Sequence, residues 1–270
     1  ESECITYQEL DEYSSAFASE LVKRGVKRNE YVALILDKGI ETVIGIMGIL
    51  KAGAVYVPID HNLPLERIRY ILNDCKAKIA VYKEENEIKE LLLDMKIVCL
   101  STTRGKITEN IVQFEKYSHN DLAYLIYTSG TTGNPKGVMI REEGLLYLCR
   151  DFIERFNLKP DVRVLQHTNI SFDPFIEEVF PVLLSGATVV VTPDNAKEDY
   201  NLLCDYMYNK NVDIADFCPL VLAELLPYLE RKHCVKQIIC GGDNLSAFLK
   251  TAILQLDIEL FNNYGPSEIT

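Results

Sequence analysis

The 270 residues predict an α/β fold in which mostly parallel sheets are flanked by helices. Three observations carry this expectation. Strand-like and helix-like stretches alternate along almost the whole chain. The strand-like stretches are short apolar runs without polar alternation, the pattern of strands buried on both faces of a parallel sheet. The helix-like stretches place apolar residues three and four apart. So many strands imply more than one sheet.

Thr6 and Glu9 stand at capping-box spacing. Leu10, Tyr13, Phe17 and Leu21 follow at helical intervals, and Gly25 sits where a C-cap glycine belongs. Residues 31–36 form an apolar run short enough for a buried strand. A second helix is expected over 41–51, closed by Gly53. Residues 56–59 read as a strand end, and Pro64 suits the first turn of a helix carrying Ile68, Ile71 and Leu72. Strands follow at 78–82, 97–100, 122–128, 162–166, 188–192, 212–217, 235–240 and 258–261. Helices lie between most of them, including 142–156 and 221–229. Residues 101–120 are polar and aperiodic and read as a subdomain connector. Residues 83–90 are charge-rich and read as the solvated face of a helix.

Lys and Arg number 28 against 40 Asp and Glu, a formal net charge of −12. Such a surface repels nucleic-acid backbones, so an anionic ligand needs a local, preorganised site. The eight cysteines include no CxxC pair, and several lie in apolar runs. They read as reduced, buried small hydrophobes. The four histidines show no metal-ligand spacing; His167 reads as a strand-end histidine. The N-terminus lacks the pattern of a signal peptide, and no apolar run approaches membrane-spanning length. The expectation is a cytoplasmic protein with no membrane and no nucleic-acid partner.

One segment carries phosphate chemistry: Thr128, Ser129, Gly130, Thr131, Thr132, Gly133, Asn134, Pro135, Lys136 and Gly137. Three glycines let backbone N–H groups approach an anion, four hydroxyls donate to phosphate oxygens, and Lys136 adds a mobile charge. It is not a Walker A loop, because Pro135 precedes Lys136 and Gly137 follows it. Val138, Met139 and Ile140 then suggest a strand where a P-loop would be followed by a helix.

Residues 127–137 resemble the phosphate-binding signature of the adenylate-forming, AMP-binding superfamily. Four further segments narrow the resemblance to the N-terminal core of nonribosomal peptide synthetase adenylation domains. They are 5–10, 50–60, Phe172-Asp173 and 262–268, and all five occur in family order. The resemblance implies ATP-dependent activation of an amino-acid carboxylate as an aminoacyl adenylate. ATP and Mg²⁺ are then the ligands, and a phosphopantetheine thiol on a carrier domain of a multidomain synthetase is the acceptor. The family pattern continues past Glu268 to a ribose-binding aspartate and a mobile C-terminal domain with a further lysine. This sequence therefore corresponds to the N-terminal core portion, over 1–270. The alternatives are an acyl-CoA synthetase or other acid ligase of the superfamily, or a binding fragment without catalysis.

The same resemblance assigns residues. Lys136 and Glu268 are catalytic, with Glu268 as the Mg²⁺ ligand. The Thr128–Gly137 loop cradles phosphates. Gly241, Gly242, Asp243, Asn262, Asn263, Tyr264, Gly265 and Ser267 surround the nucleotide, with Tyr264 stacking on adenine. Asp173 holds the substrate α-ammonium; on the residues alone it is equally a helix N-cap before Pro174. Pro174, Glu177, Leu220, Ile239, Gly241 and Asn263 line the amino-acid side chain. Glu177 within that lining favours a basic substrate, lysine first, or a strongly hydrogen-bonding one, cysteine second; the plain alternative is that Glu177 faces solvent.

Overall fold

A computed structural model describes residues 3–82, 95–98, 118, 120–128 and 134–269. The expected features over 83–90, and nearly all of the expected connector over 101–120, lie outside the described residues. The chain forms two compact units, residues 1–145 with 169–171, and residues 146–168 with 172–270.

The first unit contains helix α1 (Tyr7–Lys23), strand β1 (Tyr31–Ile35), α2 (Ile40–Lys51), β2 (Val55–Pro58), α3 (Leu65–Cys75), β3 (Ile79–Tyr82), β4 (Lys96–Val98), β5 (Leu122–Thr128) and β6 (Lys136–Arg141). The capping box forms as its spacing requires: the Thr6 hydroxyl accepts from the Glu9 N–H, and the Glu9 carboxylate accepts from the Thr6 N–H at 2.7 Å. Gly25 and Gly53 follow the two helix ends at φ +94° and +72°, where a β-carbon would be strained. Pro64 stands one residue outside α3, at its N-cap.

The sheet runs β4-β3-β1-β2-β5-β6. All its pairings are parallel except β5 with β6. Every residue of β2 and β3 is buried, which explains why their sequences do not alternate.

The second unit holds most of α4 (Glu142–Arg155), then β7 (Arg163–Gln166), α5 (Pro174–Leu184), β8 (Thr188–Val191), α6 (Tyr200–Asn209), β9 (Ile214–Phe217), α7 (Pro219–Leu229), β10 (Gln237–Cys240), α8 (Ala247–Leu254) and β11 (Glu259–Asn262). Its sheet is wholly parallel, in the order β11-β10-β9-β7-β8. Leu203, Leu222, Leu225, Ile238 and Ile253 pack in one apolar cluster, and Phe152, Phe156, Val164, Val182, Ile214 and Ile239 in another. A parallel sheet needs a crossover after each strand, so the carboxyl ends of β7, β9, β10 and β11 open on one edge.

Among the described residues seven cysteines are free thiols. Cys75, Cys149, Cys204 and Cys240 are buried as expected, whereas Cys4 and Cys218 are exposed. No described helix is long and apolar enough to cross a membrane.

The close packing of α1 on α2 depends on Gly48. A β-carbon there would fall 2.5 Å from Phe17 Cδ1 and 3.1 Å from the Ser14 carbonyl oxygen, and Phe17 is fully buried. Gly48→Ala is expected to destabilise the first unit by roughly 1–3 kcal/mol. The check is a lower urea midpoint with an unchanged m-value.

Candidate active site

In the first unit the phosphate-loop segment joins two antiparallel neighbours. Thr128 at the end of β5 pairs with Lys136 at the start of β6, and Tyr127 pairs with Gly137. The strand expected at 138–140 is thus present and extends to both sides. The end of β5 is anchored to α3 by the Tyr127 hydroxyl, which donates to Asp74 Oδ2 at 2.6 Å. Burial, and then that bond, raise the hydroxyl's pKa and keep it protonated. A β-carbon on Gly137 would come within 2.9 Å of the Leu125 side chain, so this position suits glycine. Lys136 is exposed at the head of β6, and no ion pair among the described residues occupies its ammonium. Ser129, Gly130, Thr131, Thr132 and Gly133 lie outside the described residues.

In the second unit the polar edge is built on α5. Glu178 is 2% exposed and ties the end of β7 to this helix. Its carboxylate accepts from Gln166 Nε2 at 3.0 Å, the His167 N–H at 3.0 Å, the Thr168 N–H at 3.0 Å and the Thr168 hydroxyl at 2.7 Å. Burial raises its pKa to about 7 against the pull of these donors.

One turn earlier, Asp173 occupies the N-cap of α5 with Pro174 in the first turn, but its side chain makes no capping bond. Its backbone already has helical angles, φ −59° and ψ −35°, unlike the extended conformation that usually aims a capping side chain at the first turn. The carboxylate instead accepts from the Ser267 hydroxyl at 2.7 Å. The capping role open on sequence alone is therefore not the one this side chain performs.

Glu177 does not simply face solvent. It is partly buried and accepts from Asn263 Nδ2 at 3.1 and 3.3 Å. Burial, followed by repulsion from Asp173, raises its pKa to about 8. Asn263 reaches it because Gly241 lets the two backbones approach: a β-carbon on Gly241 would lie 3.0 Å from the Asn263 carbonyl oxygen. Gly242 follows at φ +84°.

Sequence reasoning missed a fourth acid. Asp216 lies in β9, paired with Ile239 of β10. Burial raises its carboxyl well above the ordinary range, and repulsion from Glu178, Glu177 and Asp173 adds to the effect. The signal was available, since Asp216 is the one charged residue in the strand Ile214–Phe217. Leu220, proposed as a side-chain wall, is 74% exposed at the start of α7. Ile239 lies in the cluster with Phe156 and Val182, and is 5% exposed. Tyr264 is 93% exposed, its ring face open for stacking. Asn262, Asp243, Gly265 and Glu268 are exposed on the same unit. His167 sits at the end of β7 as expected, with its ring against Phe217 and Nδ1 3.3 Å from the Thr192 hydroxyl. A cavity of about 450 Å³, lined by Phe156, Lys159, Asp213, Lys236 and Glu259, opens near the other ends of the strands. It shares no lining residue with the acid group.

Parallel sheets with polar loops at their carboxyl edges define an α/β protein whose ligands bind at those edges. The family model "AMP-binding enzyme" matches residues 1–270, and the chain belongs to that family. It is 34% identical to gramicidin S synthase 2 of Brevibacillus brevis over 99% of this chain and 6% of that protein. It is 35% identical to bacitracin synthase 2 of Bacillus licheniformis over 100% of this chain and 10% of that protein. The chain thus spans a small part of these relatives. The solved nonribosomal peptide synthetase FmoA3 superposes at TM-score 0.91 with 26% identity, covering 99% of this chain and 29% of that one. FmoA3 has also been solved with AMPPNP and with alpha-methyl-L-serine-AMP. The N-terminal subdomain of Klebsiella oxytoca NpsA shares the fold at TM-score 0.88, with 24% identity over 99% of this chain and 68% of that one.

The acid group makes stability depend on pH. Glu177, Glu178 and Asp216 bind protons more tightly folded than unfolded. The contribution of Glu177 and Glu178 is fully present below the unfolded carboxylate range and is lost as pH rises through about 7 to 8, and that of Asp216 is lost in the same direction. The urea midpoint of the second unit is expected to fall between about pH 5 and pH 8.5, and Asp216→Asn to flatten that fall. A midpoint constant over this range would show that the three carboxyls are solvated.

Proposed function

We propose that this chain is the N-terminal core of an amino-acid adenylation domain in a multidomain peptide synthetase, working in the cytoplasm. The carrying observation is the Asp173 carboxylate. It stands at a helix N-terminus without capping that helix, braced by Ser267 on one oxygen, with the other available to a cation. A partly buried carboxylate of this kind calls for a charged partner, and the α-ammonium of an amino acid provides one. The relatives support the reading, since FmoA3 is a peptide synthetase solved with an aminoacyl adenylate.

In the proposed reaction the substrate carboxylate attacks the α-phosphate of ATP. A carboxylate–phosphorus bond forms, the bond to the β-phosphate oxygen breaks, and pyrophosphate leaves. No covalent enzyme intermediate is needed, so the chain contributes positioning and charge. The Thr128–Gly137 loop holds the β- and γ-phosphates, and Lys136 supplies charge as they depart. Gly241, Gly242 and Asp243 pass the backbone beside adenine, Tyr264 stacks on it and Asn262 meets its edge. Asp173 orients the amino acid so that its carboxylate faces the phosphate.

Glu268 suits Mg²⁺. It is an exposed carboxylate with no ion pair among the described residues, and Mg²⁺ takes one or two protein carboxylates beside phosphate oxygens. When bound, the ion would neutralise charge on the pyrophosphate. The phosphopantetheine thiol of a peptidyl carrier domain then attacks the aminoacyl carbonyl: a thioester bond forms, the carbonyl bond to the phosphate oxygen breaks, AMP leaves and the thiol proton is given up to solvent.

Two substitutions test the reading in the complete adenylation domain, by pyrophosphate exchange. Asp173→Ala is expected to cost about 2–5 kcal/mol in kcat/KM for the amino acid, with ATP dependence nearly constant. The deaminated acid, which lacks the ammonium, should lose much less. Equal losses on both substrates would reduce Asp173 to a structural residue. Exchange with fatty or aryl acids alone would identify another acid ligase of the superfamily.

Lys136→Ala is expected to slow exchange by roughly tenfold to a hundredfold, about 1.5–3 kcal/mol. Unchanged kinetics would mark Lys136 as a plain surface lysine.

A further inference from the structure

The carboxyl edge of the second unit holds more negative charge than the reaction so far described uses. Four acids belong to it: Asp173 at the N-cap of α5, Glu177 and Glu178 on α5, and Asp216 on β9. The last is under repulsion from the other three. No lysine, arginine or histidine among the described residues forms an ion pair with any of them. Glu178 is satisfied by its donors, and Asp173 is engaged by Ser267 and, in the proposed function, by the α-ammonium. Glu177 and Asp216 remain. Glu177 has only the Asn263 amide, and Asp216 makes no hydrogen bond among the described residues. Ionising carboxyls as buried as these is costly unless a cation meets them, so Glu177 and Asp216 favour a cationic ligand.

A second observation points to the same ligand. Gln166 is 1% exposed, and its Oε1 has no hydrogen-bond partner, whereas its Nε2 is held by Glu178 at 3.0 Å and by the Thr168 carbonyl at 2.7 Å. The strand register places Gln166 beside Asp216. Val164 of β7 pairs with Ile214 of β9, and two residues on, on the same face of both strands, stand Gln166 and Asp216. A buried acceptor without a donor is destabilising until a ligand supplies one. Once ionised, the two carboxylates and the amide oxygen offer only acceptors.

Among the described residues no group of three or more His, Cys, Asp or Glu could hold a metal ion. An ammonium suits two carboxyls and an amide oxygen, because it carries three donors, no acceptor and one charge. The spacing fits an amino acid with two of them. Glu177 lies four residues beyond Asp173 on α5, about 6 Å along the helix axis, a span that side chains of ornithine or lysine length can cover.

We infer that this edge takes an α-amino acid bearing a second, primary ammonium on its side chain. Asp173 receives the α-ammonium, while Glu177, Asp216 and the Gln166 carbonyl receive the other. This inference rests on the amino-acid-activating function proposed above and names its substrate class. Asp216 and Gln166 are thereby specificity-determining residues.

The test is pyrophosphate exchange by the complete adenylation domain, comparing lysine and ornithine with norleucine, glutamine and cysteine. A diamino acid should exceed its uncharged isostere norleucine by roughly a hundredfold in kcat/KM. A preference for an uncharged side chain would overturn the inference while leaving amino-acid activation standing. Exchange with no amino acid but with an aryl or fatty acid would instead overturn the function on which it rests.

Asp216→Asn keeps the shape and removes the charge. It should cut the lysine-to-norleucine ratio by about tenfold or more, and an equal loss on both substrates would assign Asp216 a structural role. The ratio should also grow as pH rises from about 6 to about 8, where the Glu177 carboxyl, facing Asp173, Glu178, Asp216 and the Asn263 amide, gives up its proton to meet the cation. A ratio independent of pH would remove Glu177 from the recognition.

Discussion

The polar edge of the second unit depends on the buried carboxylate of Glu178. It gathers the donors of Gln166, His167 and Thr168, and so fixes the chain leaving β7 against α5. That helix in turn sets the positions of Asp173 and Glu177. Removing the carboxylate would strand two partly buried backbone N–H groups, a larger penalty than the loss of any single neutral hydrogen bond. Glu178 touches no proposed ligand, yet the directions in which its two acidic neighbours on α5 point follow from it.

The first unit solves a different problem with a different strand arrangement. Its strands β1, β2 and β3 are buried runs, but β5 and β6 run antiparallel and end the sheet on a more polar strand. This turn of direction lets a short segment leave β5 and return immediately, where a parallel crossover would have required a helix. A glycine- and hydroxyl-rich segment with a lysine at its far end is thereby held at both ends by strand pairing. The Tyr127–Asp74 bond adds a tie to α3.

Much of this was legible from residue types alone. The Thr6–Glu9 box, the glycines closing α1 and α2, and the apolar runs of β1, β2 and β3 each rest on local chemistry, and each formed within a residue or two of its expected place. The site was legible where it rests on contiguous motifs. It was not legible where it depends on which strands lie side by side. Asp216 belongs to the acid group only because β9 lies between β7 and β10, and nothing in residues 214–217 announces that order. Leu220 follows from extending the motif resemblance along the chain, whereas Asp216 is brought in by register across the sheet. The engagement of Asp173 with Ser267 joins residues 94 apart in sequence and was likewise invisible.

That last contact has a thermodynamic reach. Clamping one oxygen of Asp173 removes torsional freedom during folding, so less entropy remains to be lost when a ligand meets the other oxygen. Ser267 also shares a single 3₁₀ turn with Glu268, the carboxylate assigned to Mg²⁺. In the proposed function the brace for the amino acid and the anchor for the metal are therefore consecutive residues of one turn. Whatever displaces that turn bears on both ligands, and linkage makes the influence mutual: the amino acid changes the affinity for the metal by the factor with which the metal changes the affinity for the amino acid.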